Sequence, residues 1–152
     1  MNRFAKPITI LYADDDAEDR MLVKEAWDEN RLANELHFVE DGEELLEYLR
    51  RIGKYEHLNG SPLPGMILLD LNMPRKDGRE ALREIKADPM LRTIPVVILT
   101  TSEDEYEVER AYDLGANSFI VKPVTFEGLV QAMKVVTEYW FTIVHLPSVE
   151  QR

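Results

Sequence analysis

The stretch Pro7-Ile8-Thr9-Ile10-Leu11-Tyr12-Ala13-Asp14-Asp15-Asp16 decides the fold. It is almost continuously apolar through Ala13 and then turns abruptly acidic. A run without polar alternation is expected of a strand buried on both faces of a parallel sheet. Met66 to Leu69, Val96 to Leu99 and Phe119 to Val121 have the same character, and Leu36 to Val39 is a weaker fifth candidate.

Helical signals fill the intervals. Asp16 with Asp19, Asp41 with Glu44, and Ser102 with Glu105 have capping-box spacing, which predicts helices over about 17–30, 42–51 and 103–114, the last stopping at Gly115. A further helix is expected over about 79–87, and a long one from Thr125 past Tyr139. Strand followed by helix, five times over, predicts an α/β doubly wound flavodoxin-like sandwich. Its five-stranded parallel sheet takes the order 2-1-3-4-5 and carries five helices. The segment 53–65 holds three glycines and two prolines, and reads as a surface insertion of the kind that loops accept.

Composition narrows the function. The 152 residues suit one domain with a full core. A net charge of −11 with scattered basic residues excludes a nucleic-acid surface. No apolar run approaches a membrane span, the N-terminus carries no signal-peptide pattern, and no cysteine is present. A cytoplasmic protein that binds neither membrane nor nucleic acid is expected.

The polar residues stand at the strand ends. Asp14, Asp15 and Asp16 follow the first strand, Asp70 the third, Thr100 the fourth and Lys122 the fifth. Ligands of open parallel sheets bind outside the carboxyl ends of the strands, so these groups converge on one edge. Any one of them alone has an ordinary explanation: a helix cap, a strand-end hydroxyl with Thr101 beside it, a solvated lysine. Together they do not. Asp16 is assigned to the cap and Asp14 and Asp15 to a metal. Crowded carboxylates repel unless a cation intervenes, and magnesium suits such oxygen ligands. Lys122 adds positive charge and Thr100 a hydrogen-bond donor for an incoming phosphoryl group. Asp70 is left as the nucleophile, forming an acyl phosphate.

The segment Asp70-Leu71-Asn72-Met73-Pro74-Arg75-Lys76-Asp77-Gly78 resembles the D-x-x-M-P-x-x-D-G segment of response-regulator receiver domains in two-component signalling. The acidic pair, Thr100 and Lys122-Pro123 match that family too, and the resemblance covers about residues 7–140. It divides the chain into a core over about 7–140 interrupted by the insertion 53–65, and a C-terminal extension over 141–152. The resemblance implies that Asp70 is the phospho-acceptor, that the metal is held by Asp14, Asp15, Asp70 and the backbone carbonyl of Asn72, and that Thr100 and Lys122 contact the phosphoryl oxygens. It implies a cis Lys122–Pro123 bond, an aromatic switch at Phe119, and an influence of Asn72 and Ser102 on phosphoryl loss.

A narrower resemblance is to the single-domain regulators that partner phytochrome-type histidine kinases. It rests on the insertion and on Tyr139-Trp140-Phe141 leading to Leu146-Pro147. The chain is then a switch rather than an enzyme, with self-catalysed phosphoryl transfer and autodephosphorylation only. With only Leu146 to Arg152 after the last helix, its output is contact with a downstream protein or a phosphotransfer protein. Adaptor and phosphoryl shuttle are not separated by the sequence.

Two rival readings compete with this one. A haloacid-dehalogenase-like phosphatase needs an acid two residues after the nucleophile, where this chain has Asn72. A phosphorylation-independent receiver-fold interaction domain is expected to have lost site residues, and none is lost. In the final helix Leu129, Ala132, Met133, Val136, Trp140 and Ile143 form a core stripe. Consecutive Tyr139, Trp140 and Phe141 cannot all share it, so either the helix ends before Phe141 or an aromatic lies exposed. With Val144 and Leu146 such a patch predicts a homodimer through the C-terminal helix, tightened by phosphorylation.

Overall fold

The computed structural model describes residues 8–32, 34–73, 75–101 and 105–140, with the side chains of 105 and 106 left aside. Five strands form one parallel sheet: β1 (Ile10–Ala13), β2 (Leu36–Val39), β3 (Met66–Leu69), β4 (Val96–Thr100) and β5 (Ser118–Val121), in the order β2-β1-β3-β4-β5. The helices are α1 (Ala17–Glu29), α2 (Gly42–Arg50), α3 (Gly78–Ala87), α4 (Glu105–Asp113) and α5 (Phe126–Glu138). The flavodoxin-like architecture expected from the strand-helix alternation is therefore the one observed.

Every residue of β1, β3 and β4 is buried, which is why their sequences lack polar alternation. Successive side chains of a strand point to opposite faces, so each strand feeds two cores. Leu11, Ile67 and Ile98 pack under α2 and α3 with Leu45, Leu82 and Ile85. Tyr12, Leu68 and Leu99 pack under α1 and α5 with Trp27, Leu129 and Met133.

The caps at Asp16, Asp41 and Thr125 form as their positions suggest. Asp16 accepts from the backbone of Glu18 and Asp19. Glu44 returns not to Asp41 but to the N–H of Glu40, at 2.6 Å. The Ser102 cap lies outside the described residues, as do Pro74 and everything after Trp140. The final helix is α-helical through Glu138 and ends in a wider, π-type turn at Tyr139 and Trp140. Trp140 packs against the α1/α5 core while Tyr139 is 48% exposed. One aromatic thus leaves the stripe. Phe141, Ile143, Val144 and Leu146 lie outside the described residues.

The insertion is more than a surface loop. Residues Gly53–Leu58 form a 3₁₀ helix, and Tyr55, Leu58 and Leu63 reach the α2/α3 core. The Tyr55 hydroxyl and the Lys54 ammonium both bind the buried Glu44 carboxylate at 2.6 Å. Buried Arg51 donates to the carbonyls of Tyr48 and Pro62. These hydrogen bonds and three apolar anchors hold the segment against α2, although Arg51 Nε itself finds no partner among the described residues.

The acidic strand end of β3 is shaped by close backbone approach at Gly78. Its N–H donates to the Leu71 carbonyl at 2.9 Å. A Cβ at Gly78 would lie 2.4 Å from the Asp70 carbonyl oxygen and 2.7 Å from the Leu71 Cα. Gly78→Ala should therefore push the loop off the strand end and destabilise the protein by about 1–3 kcal/mol. Urea unfolding with an unchanged slope and a lowered midpoint is the expected result.

Candidate functional site

Parallel pairing brings the strand ends level. The Asp14 N–H donates to the Val39 carbonyl, the Asp70 N–H to that of Ala13, and the Lys122 N–H to that of Thr100 at 2.7 Å. Asp14, Asp70, Thr100 and Lys122 therefore share one edge. Asp14 and Thr100 are 0% exposed and Asp70 is 7% exposed, whereas Asp15 faces solvent. Thr101 is also exposed, so of the two neighbouring threonines it is Thr100 whose side chain is buried at this edge.

The Lys122 ammonium joins the cluster. It donates to Asp14 Oδ2 at 2.6 Å, Asp19 Oδ2 at 2.9 Å and Asp70 Oδ2 at 3.2 Å. Burial works against its charge, but the hydrogen bonds to Asp14 and Asp19 and the field of Asp70 outweigh burial and raise its pKa. The Lys122–Pro123 peptide is trans, contrary to the cis bond that the resemblance implies. Trans is the intrinsically favoured isomer by about 0.5–1 kcal/mol, and with it the amine already reaches three carboxylates.

Asp14 is engaged on both oxygens. Its Oδ1 accepts from the Asp16 N–H at 2.9 Å, and its Oδ2 accepts from the Tyr12 hydroxyl as well as from Lys122. Burial, then the Asp14 charge, raises the Tyr12 pKa, so the hydroxyl stays a donor. Arg20 clamps the Asp14 carbonyl at 2.7 Å. The Asn72 N–H donates to Asp70 Oδ1 at 3.1 Å, and Asp77 caps α3 through the N–H groups of Arg79 and Glu80.

One oxygen each from Asp14, Asp15 and Asp70 can lie within 4.8 Å of the others. Carboxylates alone form a donor set for a hard, oxygen-seeking divalent cation, and the site residues fit one. The Thr100 hydroxyl is buried yet finds no hydrogen-bond partner among the described residues. Such a group is suited to an external acceptor. Phe119 is half-buried and packs against the α2/α3 core, in register with Ile98.

A family model, the response regulator receiver domain, matches residues 10–134. The chain belongs to that family. The receiver is 39% identical to response regulator Rcp1 of Synechocystis over 142 residues, covering 93% of this chain and 95% of that protein. The crystal structure of the phosphorylated cyanobacterial phytochrome response regulator RcpA superposes with a TM-score of 0.85 at 41% identity, covering 93% of this chain and 99% of that one. The Mn(2+)-bound form of Rcp1 gives 0.82 at 40% identity, with the same coverage of both chains. Among the described residues, no helix is long and apolar enough to cross a membrane.

The receiver's sequence reading missed two contributors to this cluster. Asp19 lies four residues after Asp15, one helical turn on, and its spacing to Asp16 made it look like a capping partner. Tyr12 reads in the sequence as strand core, although residues two apart on a strand share a face with one another.

Burial raises the Asp70 pKa, with Asp14 adding to the rise, against the lowering effects of Lys122 and the Asn72 N–H. A carboxyl raised in the fold favours folding below its unfolded pKa of about 3.9 and loses that contribution as pH rises through its folded value. Asp70→Asn should therefore melt higher than the parent protein in metal-free buffer at neutral pH. The gap should close as pH falls towards the unfolded value, and paired melting curves across pH check it.

Proposed function

We propose that this receiver is a phospho-aspartate switch of two-component signalling, with Asp70 as its phospho-acceptor. The observation that carries the reading is the buried, unpartnered Thr100 hydroxyl on the same sheet edge as Asp70 and the Lys122 ammonium. An Asp70 oxygen attacks the phosphorus of a phosphohistidine. The O–P bond forms as the P–N bond breaks, and the imidazole leaves with that electron pair. Thr100 and Lys122 donate to the phosphoryl oxygens and offset their charge.

A divalent cation, assigned as magnesium, would be held by Asp14, Asp15, Asp70 and the Asn72 carbonyl. When bound it neutralises charge on the transferring group. The protein has no separate substrate to turn over: phosphoryl transfer to Asp70 and its later hydrolysis are its only chemistry. Phe119, which pairs with Ile98 on β4 two residues before Thr100, is assigned as the aromatic that follows the phosphorylation state.

The donor is assigned as a sensor histidine kinase of the phytochrome type, by similarity to relatives described as phytochrome response regulators. The protein is placed in the cytoplasm, and its output is contact with a downstream protein or a phosphotransfer protein. A homodimer through the C-terminal helix is supported by exposed Val135 and Tyr139 on α5.

Incubation with labelled acetyl phosphate and magnesium should give an adduct that hydroxylamine removes. Asp70→Asn should take up no label, and Asp15→Ala should need far more magnesium. Label retained by Asp70→Asn at the parent level would sink the assignment. For the dimer, sedimentation of unmodified and phosphorylated protein should show association that Phe141→Ala weakens. A monomer in both states would leave the aromatic patch to another protein.

A further inference from the structure

An ammonium has three N–H donors, and in Lys122 all three are taken by carboxylates: Asp14, Asp19 and Asp70. None is left for a phosphoryl oxygen, so one bond must be exchanged when a phosphoryl group arrives. The three partners are not equivalent. Asp14 is fully buried and fixed by Tyr12 and the Asp16 N–H as well as by Lys122. Asp70 is the acceptor itself, and its bond to Lys122 is the longest of the three at 3.2 Å. Asp19 projects from α1 with a side chain 35% exposed, so water can solvate its carboxylate once the amine leaves. Releasing a solvated carboxylate costs less than releasing a buried one.

We infer that Asp19 is a positioning residue that holds Lys122 against α1 in the resting state and competes with the phosphoryl group for its ammonium. The inference rests on the reading of Asp70 as phospho-acceptor and deepens it. It assigns the resting position of Lys122 to a fourth carboxylate, outside the three that can share a metal ion. Asp19 thereby slows phosphoryl capture. With its carboxylate gone, Lys122 keeps Asp14 as its anchor and has a donor free to meet the incoming group.

The test is the rate of labelling by acetyl phosphate at saturating magnesium in five proteins: parent, Asp19→Asn, Asp19→Glu, Lys122→Ala and the double variant of Asp19→Asn with Lys122→Ala. Asp19→Asn should label faster by roughly threefold or more, and Asp19→Glu, which keeps the charge, should return towards the parent rate. In the Lys122→Ala background, Asp19→Asn should change nothing, because the competition has no object. A rate for Asp19→Asn equal to or below the parent overturns the inference. So does an equal acceleration in both backgrounds, which would mean that Asp19 acts by its own charge alone. Should the Lys122→Ala proteins fail to fold, the ¹⁵N spectrum of the Lys122 ammonium decides. A signal that moves in Asp19→Asn and not in Asp19→Glu supports the competition, and one that Asp19→Asn leaves in place overturns it. A parent protein that takes no label at all refutes instead the assignment of Asp70, and so separates the two failures.

Discussion

Asp14, Asp19 and Asp70 meet around a single ammonium, and the rest of the site is arranged to make that contact possible. Carboxylates this close repel strongly in a partly desolvated edge, and one would take up a proton without a cation between them. Lys122 supplies that cation from an edge strand. β5 stands two strand spacings from β3, or ~9.6 Å, so the side chain must pass over the end of β4. Thr100, at the end of β4, is compact enough to let it pass and polar enough to serve what binds there. A long, flexible stem with a point charge is what lysine has and arginine's rigid fork lacks.

The same arrangement makes the site incomplete by charge. One lysine cannot balance Asp14, Asp15, Asp19 and Asp70, which leaves the edge anionic and ready for a divalent cation. Asp14 is the fixed part, with its carboxylate oxygens occupied by Tyr12, Lys122 and the Asp16 N–H. Asp15 and Asp70 differ from it in opposite ways. Asp15 is exposed and free to turn towards an ion, while Asp70 is buried but loosely bonded to Lys122. The division between a rigid carboxylate and adaptable ones follows from position on the strand end and not from residue type.

Most of this was legible in the chain because strand ends are local facts. A buried parallel strand is a continuous apolar run, so the polar residue that ends it is visible, and four such residues fall on one edge by topology. What was not legible depends on long-range direction. Asp19 obeys a local capping rule and a tertiary ion pair at once, and only the second contact spans 103 residues. The insertion looked dispensable because glycine and proline dominate its pattern. Its polar attachment runs through Tyr55 and Lys54 to the buried acid Glu44, a partner that no periodicity identifies. The cis bond at Pro123 came from family likeness alone, with no local residue to require it, and the trans bond is what this chain adopts.

Burial also decides where a change at Thr100 can travel. α1 and α5 are each held by several fully or nearly buried side chains, among them Trp27, Leu129, Met133 and Val136. α4 is different: among its described side chains only Ala111 is buried, and an ion pair from Glu107 to Arg79 ties it to α3. An ion pair still partly open to solvent contributes about 1 kcal/mol or less, below what a fully buried leucine or methionine contributes. The connection leading to α4 starts directly after Thr100, and Phe119 packs on the same side of the sheet. Pulling the Thr100 hydroxyl towards a new acceptor therefore strains first the element with the least burial to resist it. The firmly buried α1/α5 pair holds the face on which Tyr12 supports Asp14, while α4 is the lightly held element. The difference lies between elements and not between faces, since the α2/α3 face carries its own fully buried core.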